Sequence, residues 1–166
     1  MIISMIAAMD KKRGIGYQGK IPWHIREDLL RFKNLTLGKT IIIGRKTYES
    51  LLGYYQKSGR PMPDRKTIVV TKNKNIASKS HVFFADSIEK AIELAKIIEL
   101  TEVFISGGAQ IFKAGIKYTE KLYLTIVDGD FTVDTYFPDY LNFKKVIREE
   151  KKFDGKFNYK FLDLIK

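Results

Sequence analysis

Asp28 is the residue whose chemistry first asks for an explanation. At about 100° per residue, residues 24–35 form a helix with Ile25, Leu29 and Phe32 on one face and Glu27 turned away, so Asp28 falls on the apolar side. A carboxylate there carries a desolvation cost unless it is paired or hydrogen-bonded. Two accounts compete. One is a structural aspartate paired with a buried lysine or arginine. The other is a carboxylate that accepts two hydrogen bonds from the amidine-like edge of a bound heterocycle. Pro22-Trp23 stands just before it, and this lone tryptophan is either core or a wall of the same site.

Three strand ends carry groups suited to phosphate. Gly44-Arg45-Lys46-Thr47 follows an apolar strand and precedes a short helical stretch, so free backbone N–H groups, a hydroxyl and two cations meet at one turn. Ser106-Gly107-Gly108-Ala109-Gln110 repeats the arrangement with glycines that allow close backbone approach. Thr71-Lys72 adds a hydroxyl and a third cation at another strand end. Each turn alone is weak evidence; together, at the carboxyl ends of neighbouring parallel strands, they mark where open sheets bind ligands. By contrast, Gly14-Ile15-Gly16-Tyr17-Gln18-Gly19 spells G-x-G-x-x-G without its context. Five residues separate it from the first strand and Ile21-Pro22-Trp23 follows instead of a helix, so it is no dinucleotide fingerprint and reads as a lid or a surface loop.

The elements that must hold these residues are short β-rich runs at residues 2–8, 40–43, 67–71, 82–84, 103–105 and 122–127. The clearest helix covers residues 87–99, with Asp86 and Glu89 resembling a capping box. Near-continuous apolar strands between helices predict an α/β fold, a mostly parallel sheet covered on both faces. Residues 143–153 and 156–164 flank Asp154-Gly155, which predicts a C-terminal antiparallel hairpin.

The 166 residues suit one domain, residues 1–166. The absence of cysteine excludes disulfides and thiolate metal sites, and fits a reducing, cytoplasmic compartment; His24 and His81 are too few and too far apart for a histidine cluster. The apolar N-terminal run is too short for a membrane span and reads as a buried strand. A net charge of +11 attracts anions, but the basic residues are spread along the chain, so no specific nucleic-acid arm is expected.

In order along nearly the whole chain, these residues resemble dihydrofolate reductase. The resemblance is carried by Ala7-Ala8, Ile15-Gly16, Ile21-Pro22-Trp23, Asp28-Leu29, Phe32-Lys33, Gly44-Arg45-Lys46-Thr47, Arg60-Pro61-Met62-Pro63, Arg65, Gly107-Gly108-Ala109, Leu122-Tyr123-Leu124-Thr125, Asp134 and Phe137-Pro138. It decides between the two accounts of Asp28 in favour of a ligand. It implies NADPH-dependent reduction of 7,8-dihydrofolate to tetrahydrofolate, feeding one-carbon metabolism and thymidylate and purine synthesis, with hydride passing to pterin C6 and a proton arriving at N5.

Residue by residue, the resemblance implies that Asp28 binds the pterin amino group and ring N–H, that Thr125 orients the carboxylate, and that water beside Ile21 and Trp23 delivers the proton. Ile6, Ala8, Leu29, Phe32 and Leu51 would wall the substrate, Lys33 and Ser106 would adjoin it, and Arg65 would grip the glutamate α-carboxylate. Ala8, Ile15 and Gly16 would face the nicotinamide. Thr47, Gly108, Ala109 and Gln110 would hold the pyrophosphate; Arg45, Thr71 and Lys72 would surround the 2′-phosphate that distinguishes NADPH from NADH. Gly44, Lys46, Gly107, Ile111, Phe112 and Thr135 complete the implied cofactor site, and Gly107-Gly108 carries a cis peptide in this family. Antifolate binding and a monomer are expected.

The chain departs from the family pattern at residues 51–58, longer than in compact bacterial members, and at Ser106 and Phe112, where a bulky apolar residue and tyrosine are common. A pyrimidine reductase of the riboflavin pathway shares the general fold and NADPH but does not require the acid on this helix, so Asp28 with Thr125 disfavours it. A nucleic-acid binder driven by charge would need no NADPH.

Overall fold

The computed structural model describes residues 1–73 and 80–166. In chain order its elements are β1 (Ile2–Asp10), β2 (Gly14–Gly16), α1 (Arg26–Thr36), β3 (Thr40–Gly44), α2 (Arg45–Ser58), β4 (Lys66–Val70), β5 (Val82–Ala85), α3 (Ile88–Ile98), β6 (Glu102–Ile105), α4 (Ala109–Gly115), β7 (Lys121–Val127), β8 (Thr135–Tyr136), β9 (Lys145–Phe153) and β10 (Asn158–Ile165).

Three successive isoleucines in β3 explain the layering. Side chains alternate along a strand, so Ile42 enters one core while Ile41 and Ile43 enter another. A strand buried on both faces needs a layer on each side. On the Ile42 side lie Ile88, Ala91, Ile92 and Ala95 of α3 with Phe112 of α4. On the other side Phe32 and Leu35 of α1 and Tyr48, Leu51 and Leu52 of α2 pack against Ile6, Phe104 and Tyr123. The sheet order is β5-β4-β3-β6-β1-β7-β10-β9, parallel through β7 and antiparallel at its last two strands. The α/β expectation and the C-terminal hairpin both hold.

Boundaries differ where capping or pairing outweighs periodicity. α1 begins at Arg26, not residue 24, because Ile25 is extended (φ −120°, ψ 108°) and fully packed. The N-cap of α3 is Ser87, whose side chain accepts from the Lys90 backbone N–H at 3.2 Å; Asp86 forms an ion pair with Lys90 at 2.7 Å and no capping box. The long 51–58 stretch is the continuation of α2, ended by Gly59 in the left-handed region (φ 64°). In the hairpin the two central residues are Gly155 and Lys156, and Asp154 accepts from the N–H groups of Lys156 and Phe157.

The glycine-rich segment is partly a strand. Gly14 and Gly16 belong to β2, which pairs with β8, and Asp10 accepts from the N–H groups of Lys12 and Gly14 at 2.7 Å each. A Cβ at Gly14 would lie 2.7 Å from Val133 and 2.8 Å from the Asp10 carboxylate, so close packing explains this glycine. Asp134 ties the following turn by accepting from the Gln18 N–H at 2.8 Å.

Candidate active site

α1 and β7 bring Asp28 and Thr125 together: the buried Thr125 hydroxyl donates to Asp28 Oδ1 at 2.6 Å. No ion pair among the described residues includes Asp28. Burial pushes its pKa above the ordinary aspartate value, opposed by the Thr125 hydrogen bond and by the charge of Arg31. The carboxylate is therefore oriented but not neutralised. Ala8 pairs with Thr125 across β1 and β7 and packs in the cluster that contains Trp23, placing three expected site residues together.

Trp23 is 6 % exposed, stacks edge-on against Phe131 at 4.9 Å, and has a buried indole N–H with no hydrogen-bond partner among the described residues. Ile21 beside it is exposed. Ile6, Phe32 and Leu51 share one apolar cluster. Leu29 does not join the core face: at 43 % exposure it stands open on α1 next to Asp28, and Lys33 is exposed on the same helix.

Arg65 likewise has no ion pair among the described residues. It is 7 % exposed, lies over the Phe32 ring at 5.0 Å, and its Nε and Nη2 are buried without a hydrogen-bond partner among the described residues. Burial lowers its pKa below the ordinary arginine value. A cavity of about 410 Å³ opens beside it, with Tyr48, Leu52 and Tyr55 of the lengthened α2 in its wall and Arg60 at its edge.

The two glycine-bearing turns expected to bind phosphate also converge. Gly44 pairs with Val70 and donates its N–H to the Gly107 carbonyl at 2.8 Å, so the ends of β3, β4 and β6 meet. The first turn of α2 has no side-chain cap, which leaves its N–H groups available. A Cβ on Gly108 would lie 3.3 Å from Thr47 Oγ1, and one on Gly44 would lie 3.1 Å from Ile111, so these glycines keep a cradle open between the two turns. The Gly107-Gly108 peptide is cis. Arg45 is half-buried and meets Glu49 at 2.7 Å; Lys46, Lys72 and Gln110 are exposed, Ala109 is half-buried, and Thr71 accepts from the Asn73 N–H. Ile15 is half-buried, and Thr135 adjoins Gly16 and donates to Asp134 at 2.6 Å. Phe112 lies in the core against Phe137 and beneath Gly107, while Ser106 is half-buried at the end of β6.

Two features escaped sequence reasoning. Arg31, three residues beyond Asp28, is paired with Asp163, and the Tyr159 hydroxyl donates to Glu27. The signal was present in β10, where Tyr159, Phe161 and Asp163 share the buried face by strand alternation.

The sequence profile described as dihydrofolate reductase matches residues 2–166. Dihydrofolate reductase of Buchnera aphidicola subsp. Acyrthosiphon pisum is 44 % identical over 140 residues, covering 84 % of this chain and 81 % of that one. The Staphylococcus haemolyticus dihydrofolate reductase is 43 % identical over 157 residues, covering 90 % and 88 %. In three dimensions the chain is similar to Enterococcus faecalis dihydrofolate reductase complexed with NADP(H) and RAB-propyl, with a TM-score of 0.83, 28 % identity, and 99 % and 95 % of the two chains covered. The chain belongs to the dihydrofolate reductase family.

Proposed function

We propose that Asp28 anchors 7,8-dihydrofolate in the reaction of this family, its NADPH-dependent reduction to tetrahydrofolate, by accepting hydrogen bonds from the pterin amino group and ring N–H. One observation carries this reading: a half-buried carboxylate is held by the Thr125 hydroxyl and has no ion-pair partner among the described residues. Such a group gains most from a ligand that brings its own donors. Arg65 complements it at the other end, where a buried guanidinium fork suits the glutamate α-carboxylate. Ile6, Ala8, Leu29, Phe32 and Leu51 cover the rings between them, with Lys33 and Ser106 at the margin.

NADPH, when bound, supplies the hydride. The open cradle at Gly44, Thr47 and Gly108 fits a pyrophosphate, with Lys46, Gly107, Ala109 and Gln110 beside it. Arg45, Thr71 and Lys72 attract the 2′-phosphate, Ala8, Ile15 and Gly16 face the nicotinamide end, and Ile111, Phe112 and Thr135 complete the cofactor site. Asp28 polarises the substrate ring, and a water held by the Trp23 indole N–H, beside Ile21, carries the proton to N5. This reading describes a monomer in the cytoplasm that also binds antifolates; no helix among the described residues is long and apolar enough to cross a membrane.

The test is absorbance-monitored NADPH oxidation with and without 7,8-dihydrofolate, repeated with NADH. Oxidation that depends on dihydrofolate, with kcat/KM at least ~10-fold lower for NADH, is expected because NADH lacks the phosphate that the basic cluster binds. Equal use of the two nucleotides contradicts the assignment of Arg45, Thr71 and Lys72.

A further inference from the structure

We propose that the buried Arg31–Asp163 pair is a positioning device that sets the proton affinity of Asp28. The proposal rests on the reading of Asp28 as the substrate anchor. Arg31 follows Asp28 by three residues on α1, so the two side chains stand on neighbouring parts of one helix face. The arginine side chain is 9 % exposed and its partner 8 %. Arg31 Nη2 pairs with Asp163, and Nη1 donates to the Leu124 carbonyl at 3.3 Å. Its guanidinium lies 4.5 Å from the Phe161 ring centroid and 5.7 Å from that of Tyr123.

These contacts converge on the strands that present Thr125. Leu124 precedes Thr125, and Phe161 is the cross-strand partner of Thr125. The clamp thus fixes α1 against β7 and β10 where Asp28 receives its hydrogen bond. It also sets a charge there. The arginine favours the ionised Asp28 against desolvation, and Asp163 offsets part of that positive charge.

Of the other charged groups on or against α1, Arg26 and Lys33 are exposed on the helix and Arg65 lies over the Phe32 ring, while those of β9 and β10 engage Glu27 and one another. Glu27 accepts from Tyr159 on β10 and meets Lys152 on β9 at 2.9 Å; Lys152 also meets Glu150 at 2.7 Å. Arg148, opposite Asp163 in the β9–β10 register, pairs with Glu150, and the Tyr123 hydroxyl on β7 donates to Glu102. A buried ion pair is a weak stabiliser compared with apolar side chains of similar volume, so stability alone gives little reason for this one.

The experiment follows the Asp28 carboxyl carbon by NMR through a pH titration of the full chain, with the pH profile of kcat/KM for dihydrofolate measured in parallel. Asp163→Asn uncovers the arginine charge, and Asp28 is expected to titrate about one pH unit lower. Replacing the whole pair, Arg31→Met with Asp163→Leu, removes the favourable charge without leaving a buried ion, and Asp28 is expected to titrate about half a unit or more higher. Opposite shifts support the proposal, because loosened packing alone does not reverse sign between the variants. A titration unmoved in either folded variant overturns it, as does loss of the fold in both, which makes the pair a structural requirement. The kinetic profile separates the two readings: if it stays still while the carboxyl moves, the tuning stands and the role of Asp28 in turnover fails.

Discussion

Burial raises the pKa of Asp28, so holding this carboxylate ionised opposes folding. Between the ordinary value of 3.8 and the higher folded value, the folded chain binds a proton that the unfolded chain has released. Stability therefore falls as pH rises through that window, and the cost is complete above it. Asp28→Asn is expected to raise Tm at neutral pH by about 2–4 °C while activity falls, the exchange of stability for function common at binding sites; calorimetry checks it. Arg65→Ala is expected to raise KM for dihydrofolate by roughly 30-fold or more with little change in kcat, because an anchor remote from the reacting carbon contributes binding in both states. Ser106→Ile tests whether the small side chain reduces apolar contact with antifolates; equal inhibitor affinity before and after the change contradicts that idea. Asp28 was legible because it broke helical patterning, and Thr125 because it sits in a motif. Arg31 was not, because it looks like an ordinary surface charge until β10 is placed against α1; strand alternation puts Asp163 on the buried face of β10 but does not name its partner.

Individual elements owe their ends to local hydrogen bonds that apolar periodicity does not encode. The helix α3 was visible from its isoleucines and alanines, yet its cap is Ser87 and not Asp86, since only the serine hydroxyl is placed to accept from the Lys90 N–H. Ser87→Ala is expected to cost about 1 kcal/mol, read from urea denaturation, with kinetics unchanged. The two turns after β3 and β6 were legible as strand-to-glycine junctions, whereas their mutual contact depends on β3 and β6 being neighbours. Gly108→Ala brings a methyl to 3.3 Å from Thr47 Oγ1. It is expected to raise KM for NADPH roughly tenfold or more with a near-normal Tm, checked by steady-state kinetics and thermal melting. The segment 51–58 was legible as extra length, and its helix-compatible residues continue α2 and build a wall beside Arg65.

The whole molecule combines a sheet whose central strands are buried on both faces with a net positive charge. Both were readable in outline: apolar runs alternate with helices along the chain, and its net charge is +11. What the linear sequence could not give was the juxtaposition of distant parts, such as α1 with the C-terminal hairpin or Arg65 with Phe32, because those contacts span the sheet. The central claim is that this fold makes Asp28 a substrate anchor, and the most direct measurement is dihydrofolate-dependent NADPH oxidation at neutral pH by wild type and Asp28→Asn. The account predicts turnover by wild type and a kcat/KM lower by about 10²–10⁴ in the folded variant. An unchanged kcat/KM in that variant contradicts it.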